Sequence, residues 1–226
     1  MAMKSPTIAL AVRRPKGSPR VNRRERRRIE TRERIYRAAL EIFARRGYLD
    51  TTVEDITEAA DVGKGTFFNY FPTKEHVLAT YGDERVAAIE RSLENVRTAK
   101  RSVRAALKEL ATDRAGQPAE SPDLLRSIFA AHLSCAPVRA ELQNRLQRAR
   151  RLLAEILAIG QKKGEIRCDR SPADLARLTQ LIFMGVTIAW ALNPDSALRK
   201  SAEEVWDLFF PSLFADMKGK RKVTRK

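Results

Sequence analysis

Apolar residues recur three and four positions apart along this chain, in one block after another. Ile35, Ala39, Ile42 and Phe43 share a face at helical spacing. The spacing predicts a helix from about Arg24 to Arg46, stopped by Gly47 as a left-handed C-cap. Thr52 opens a second, short helix with Asp55 three residues on, a carboxylate variant of the capping box. Val53, Ile56 and Ala60 are its buried face, and Asp61-Val62-Gly63 reads as a turn. A third short helix spans Lys64 to Tyr70, followed by Phe71 and Pro72. Thr73 then heads a long helix from Lys74 to roughly Thr98, close to 40 Å at about 1.5 Å per residue.

The rest is punctuated the same way. Ser102 caps a helix that ends near Gly116, and Ser121-Pro122 opens the next, with proline where its missing N–H is harmless. Pro137 opens a helix running to Gly164, and Ser171-Pro172 with Asp174 opens another that ends at Asn193-Pro194. Ser201 opens the last, which Pro211 kinks or ends. No stretch sustains an alternation rich in Val, Ile and Thr, so the fold class is all-α. The apolar run Leu181 to Leu192 reads as a buried helix, too short to span a membrane. Residues 1–22, with Pro6, Pro15, Gly17, Pro19 and many charges, cannot bury a core and are expected to be a disordered basic arm. Two cysteines, Cys135 and Cys168, and no visible signal peptide fit a reducing cytoplasm.

Charge adds the first functional clue through its location. The net charge is +16, of which residues 1–28 carry +9 and residues 217–226 carry +6. A near-neutral body with two basic ends fits contact with a polyanion, either nucleic acid or a membrane surface, and equally fits solvated tails.

The stretch from Thr52 to Phe71 is a helix-turn-helix, whose second helix can enter the major groove of DNA. Gly63 and Gly65 let the backbone approach a phosphate closely, and the helix N-terminus offers free N–H groups to it. Lys64 adds a cation, Thr66 and Asn69 can hydrogen-bond bases or phosphates, and Phe67 can pack on a thymine methyl. Tyr48 and Phe71 read as buried aromatics.

At these residues the sequence resembles a family. Gly47-Tyr48, Thr51-Thr52-Val53, Asp55-Ile56, Ala59-Ala60, the run Val62 to Phe71 and Lys74-Glu75 resemble the TetR family of bacterial repressors. The resemblance implies a three-helix head over residues 23–80, with the helix-turn-helix at about 52–71. It implies a six-helix ligand-binding and dimerisation body over 81–216, before the basic tail 217–226. It places Thr52 and Lys74 on phosphates and Lys64, Thr66, Phe67, Asn69 and Tyr70 along the groove, so the expected DNA-binding set is these with Thr51, Gly63 and Gly65. Four positions depart from the commonest pattern: Thr57 for alanine, Asp61 for glycine, Gly63 for a capping serine and Phe68 for tyrosine. At Asp61 the departure implies backbone strain of about 1 kcal/mol.

The implied partners are near-palindromic double-stranded operator DNA, a second copy of the chain through the last two helices, and a small effector, with no membrane. Phe129, His132, Phe183, Met184 and Trp190 are the candidate effector pocket. The few charges around them favour an apolar or aromatic ligand. His132, near Phe129 and Cys135, is a pocket wall, half of a nucleophile pair or a satisfied core histidine. No metal-ligand spacing, phosphate loop or nucleophile elbow occurs, so neither an enzyme nor a cofactor is expected.

Overall fold

A computed structural model describes residues 22–112, 121–195 and 197–214. Among them are nine α-helices, no strand and one isolated bridge between Ile166 and Phe214. The expected end of the fifth helix at Gly116 and both basic termini lie outside the described residues.

The first three helices are α1 (Arg23–Arg46), α2 (Val53–Ala59) and α3 (Lys64–Phe68). Helix α1 begins at Asn22, whose side chain accepts from Arg24 N. Among the described residues none from 22 to 34 is buried; from there on, Ile35, Ala39 and Phe43 enter the core. Gly47 ends the helix with φ +86 and ψ 155. That is not the left-handed helical cap expected but a mirror-extended conformation, which glycine alone reaches without a Cβ clash. Thr52 and Asp55 form the expected capping box, each side chain bonding the other's backbone N–H, a cap of about 0.5–2 kcal/mol.

Six helices follow: α4 (Lys74–Arg97), α5 (Val103–Thr112), α6 (Pro122–Ser134), α7 (Ala136–Lys162), α8 (Pro172–Leu192) and α9 (Leu198–Phe209), closed by a 3₁₀ turn at Phe210–Leu213. Ser102, Ser121 and Ser171 cap as read from sequence. Thr73 does not cap α4 with its hydroxyl, which pairs with His76 Nδ1 at 3.0 Å instead. Helix α9 begins three residues before the expected Ser201. Leu198 is buried in line with Ala202 and Trp206, and that apolar stripe extends the helix although Ala197 offers no cap.

Three buried clusters organise the chain. The first holds the head together, with Ile35, Phe43, Ile56, Phe67, Phe71 and Val77, and continues into Leu124, Ile128 and Ala131 of α6. The second joins Leu93, Val96, Leu107, Ile156, Leu157, Trp206 and Phe210. A smaller third joins Leu125, Trp190, Ala191 and Leu198. Helices α4 and α7 run side by side in the same direction. Asp83 pairs with Arg145 at 3.1 Å, Glu90 with Arg148 at 2.5 Å, and Arg97 with Glu155. Gly82 lies where the Arg145 stem crosses α4, so a Cβ there would stand 2.7 Å from Arg145 Cδ. The glycine therefore makes room for a side chain of α7.

Helix α8 departs from the expected buried helix. By length and composition it is apolar enough to cross a membrane, yet it is anchored sideways by polar contacts. Gln180 donates to the Leu146 carbonyl and accepts from Arg150 of α7. Leu178, Leu181, Ile188 and Leu192 remain exposed on its outer side, as do Leu208 and Phe209 of α9. A helix apolar all round needs cover on all sides, and one copy of the chain covers only part of it.

Asp61 sits at φ +50, as its place in the turn requires. Asp61→Gly should raise unfolding free energy by about 0.5–1 kcal/mol by removing the left-handed cost of a side chain. Urea denaturation of the two proteins measures this; an unchanged or lowered midpoint would show that Asp61 is unstrained.

Candidate DNA interface

Helix α3 is a single turn and a half, too short to hold itself in water. It is held by aromatic burial: Phe67 is 0% exposed, its ring 5.9 Å from Phe71, and both join Ile56 and Phe43 in the head core. Phe67 is thus turned inward and cannot lie on a thymine methyl; this corrects the sequence reading. Its neighbour Phe68 is the outward aromatic, 51% exposed and edge-on to Phe67 at 5.4 Å. The helical period carried the signal, since Phe67 and Phe71 are four apart and share the face that meets α2.

Thr51 is also withdrawn from the surface. It is 1% exposed and its hydroxyl donates to the Gly47 carbonyl at 2.7 Å, so it shapes the loop. Thr52, Gly63, Lys64, Gly65 and Asn69 are exposed, while Thr66 and Tyr70 are half-buried. Gly63 caps α3 with no side chain, and an added Cβ at either glycine would meet nothing within 4 Å. The protein's own packing therefore does not require glycine at 63 or 65. Thr57 is buried, and its hydroxyl donates to the Glu54 carbonyl at 3.0 Å, which accommodates it in place of alanine.

Lys74 is committed. Its ammonium donates to the carbonyls of Thr51 at 2.8 Å and Tyr48 at 3.0 Å, and stands 4.5 Å from the Tyr48 ring centroid. It ties the first turn of α4 to the loop between α1 and α2. Beside it, the Tyr48 hydroxyl donates to Glu75 at 2.7 Å. Burial pushes the Glu75 carboxyl up, but the Thr73 and Tyr48 hydroxyls outweigh this and hold it below the ordinary value. Burial and the same carboxylate push the Tyr48 hydroxyl well up. An open recess of about 390 Å³ brings Thr52, Phe68 and Lys74 together on one side of the head, with Leu49 and Pro72 on its wall. Lys64, at the start of α3, is ion-paired with Glu54 of α2, a residue the sequence reading passed over.

The five candidate effector residues do not converge. Phe129 packs on the cluster with Trp190, whereas Phe183 lies against Phe210 in the second cluster, the tilted rings 5.3 Å apart. Met184 is half-buried on α8. His132 Nδ1 is buried without a hydrogen-bond partner, and burial, with Arg145 adding to it, lowers the imidazole to about 4. Among the described residues no group of His, Cys, Asp and Glu could hold a metal ion.

A three-helix head with a short, exposed second helix of a helix-turn-helix, on a six-helix body, is the architecture of a bacterial DNA-binding regulator. Comparison with known proteins agrees. The profile of bacterial regulatory proteins of the tetR family matches residues 35–81. The transcriptional regulator TcmR of Streptomyces glaucescens is 30% identical over 207 residues, spanning 85% of this chain and 88% of that one. The repressor DhaR of Mycobacterium sp. strain GP1 is 29% identical over 197 residues, 82% of this chain and 95% of that one. Among solved structures, the FadR repressor of Thermus thermophilus in complex with lauroyl-CoA is 34% identical over 82% of this chain and 96% of its own, with a TM-score of 0.57. The chain belongs to the TetR family of bacterial transcriptional regulators. Its relatives are named as regulators and repressors, and it is not an enzyme.

Phe67→Ala should cost about 3–5 kcal/mol of stability, whereas Phe68→Ala should cost under about 1 kcal/mol. Chemical denaturation separates them, and equal losses would refute the inward and outward assignment. For His132 the folded imidazole titrates below the unfolded one, near 6.5, so the unfolded chain binds the extra proton. Stability should be full above about pH 6.5 and fall as pH drops towards 4, a loss that His132→Gln should reduce. Parallel loss in both proteins between pH 7 and 5 would exclude His132 as its source.

Proposed function

We propose that the protein is a repressor that grips near-palindromic double-stranded DNA as a homodimer in the cytoplasm, and releases it when a small, largely apolar effector occupies the body. The observation that carries the DNA half is the exposure of Thr52, Gly63, Lys64, Gly65 and Asn69 on a helix-turn-helix whose other side is fixed by Phe67 and Phe71. In this reading residues 23–80 are the reading head and 81–216 the regulatory body. Thr66, Asn69 and Tyr70 line the groove, while Thr52 and the bare backbone at Gly63 and Gly65 meet phosphate. Lys74 acts chiefly by fixing the 48–51 loop. Residues 29–80 net −2, so non-specific attraction falls to the basic arm, whose residues precede α1.

The dimer is supported by uncovered apolar surface. Leu192 of α8 is 71% exposed and Leu208 of α9 is 77% exposed, beside Leu178, Leu181, Ile188 and Phe209. A second copy laid across α8 and α9 covers these in a four-helix interface. Trp206 of α9 is not part of that surface: it belongs to the monomer's own core, where it stacks on Phe210 at 4.6 Å. Two heads about 34–36 Å apart would reach successive major-groove faces on one side of a duplex.

The effector half rests on the third cluster, where Phe129, Val186 and Tyr81 pack around Trp190 and Leu198. Tyr81 belongs to α4, one residue from the Gly82 crossing, so a ligand there touches the helix that enters the head. The lauroyl-CoA of the Thermus thermophilus relative supports a ligand with an apolar body. To release DNA it must bind the released conformer more tightly, since equal affinity shifts nothing.

Selection of bound duplexes from a random pool should yield a palindrome. Asn69→Ala should then weaken binding to that duplex by about 1–3 kcal/mol while leaving helicity unchanged. Full-strength, equally selective binding by Asn69→Ala would refute this assignment of the groove face.

A further inference from the structure

The exposed side of the head carries a carboxylate that the reading above leaves unused. Glu54 is the second residue of α2, Lys64 is the first of α3, and their exposed side chains are ion-paired across the turn. From Thr52 to Glu75 the sequence holds two cations, Lys64 and Lys74. Lys74 spends its ammonium on the Tyr48 and Thr51 carbonyls. The surface assigned to the groove therefore has no uncommitted cation over this stretch, and the availability of Lys64 depends on Glu54.

We propose that Glu54 is a specificity-determining residue, an internal competitor that holds Lys64 until a G·C base pair takes both side chains. The inference rests on the docking of α3 proposed above. On DNA of arbitrary sequence, Lys64 would gain by neutralising a phosphate, but the carboxylate beside it already neutralises the ammonium and repels that phosphate. Generic contact is thereby discouraged. In the major groove a guanine offers the O6 and N7 acceptors and its cytosine offers the N4 amine. A lysine and a glutamate standing together match that edge, the first donating to guanine and the second accepting from cytosine. The pair then exchanges its mutual contact for two base contacts, and only where the base pair is the right one. An exposed ion pair is worth little to folding, so its removal leaves the head intact. The capping box of Thr52 and Asp55 is separate from it.

The test compares wild type, Glu54→Gln, Lys64→Gln and the double variant, by duplex selection and by salt titration on a random-sequence duplex. Glu54→Gln should bind the random duplex about fivefold more tightly per subunit at 0.15 M salt, with a log–log slope steeper by about 0.9 per subunit. It should also lose a preference on the order of 10- to 100-fold for one G·C pair in each half-site. Both gains in random binding should vanish in the double variant. Unchanged or weaker random binding by Glu54→Gln, a tightening that survives loss of Lys64, or an unaltered selected sequence would each overturn the proposal. Those results would leave the regulator reading standing. A wild-type protein that selects no sequence would remove both.

Discussion

A helix of five residues cannot form alone, and the reading of DNA assigned to this protein depends on one. The nucleation cost of a single turn exceeds what its few hydrogen bonds return. What sets α3 in place is the burial of Phe67 and Phe71 against Ile56 and Phe43. Everything outward-facing in the head follows from that inward commitment. With Phe67 fixed, Phe68 and Asn69 face solvent, and Lys64 reaches Glu54. The missing serine cap at Gly63 is tolerated because the aromatic core, not the cap, holds the helix.

The same core ties the head to the body. Val77 and Leu78 of α4 lie in it, together with Leu124 and Ile128 of α6, so a displacement of α4 or α6 is felt beneath α3. Further along, α4 is fastened to α7 by three ion pairs, the innermost built on Arg145, whose side chain is only 12% exposed. The Lys74 contacts fasten its first turn to the 48–51 loop. Polar contacts at Lys74, Asp83, Glu90 and Arg97 alternate along α4 with apolar ones at Val77, Leu78, Leu93 and Val96, an attachment along the whole helix that suits a lever between a body and a head.

Much of this was legible in the sequence, and for physical reasons. Apolar periodicity and caps at Thr52, Ser121 and Ser171 are local signals, and they located the starts of α2, α6 and α8. Asp61 declared its turn by standing where φ must be positive. The errors fell where tertiary contacts decide. Phe67 and Phe68 are adjacent and chemically identical, and in a helix this short the four-residue spacing of Phe67 and Phe71 is the one local sign of which is buried. Thr51 looks like an available hydroxyl until Gly47 is brought back beside it. The start of α9 followed burial of Leu198 instead of the serine cap. The candidate effector residues share helices but not one cluster, which spacing alone could not reveal. Glu54 was passed over because an acid is an unexpected residue on a surface meant for DNA.

In the proposed complex, two copies of this head, joined through α8 and α9, read one side of a duplex. Hydroxyl-radical footprinting of the protein on its selected duplex reads this arrangement out. Two protected patches are expected, related by the palindrome's symmetry, separated by about one helical turn and lying on the same face. A single protected patch, or uniform protection along the duplex, would contradict it.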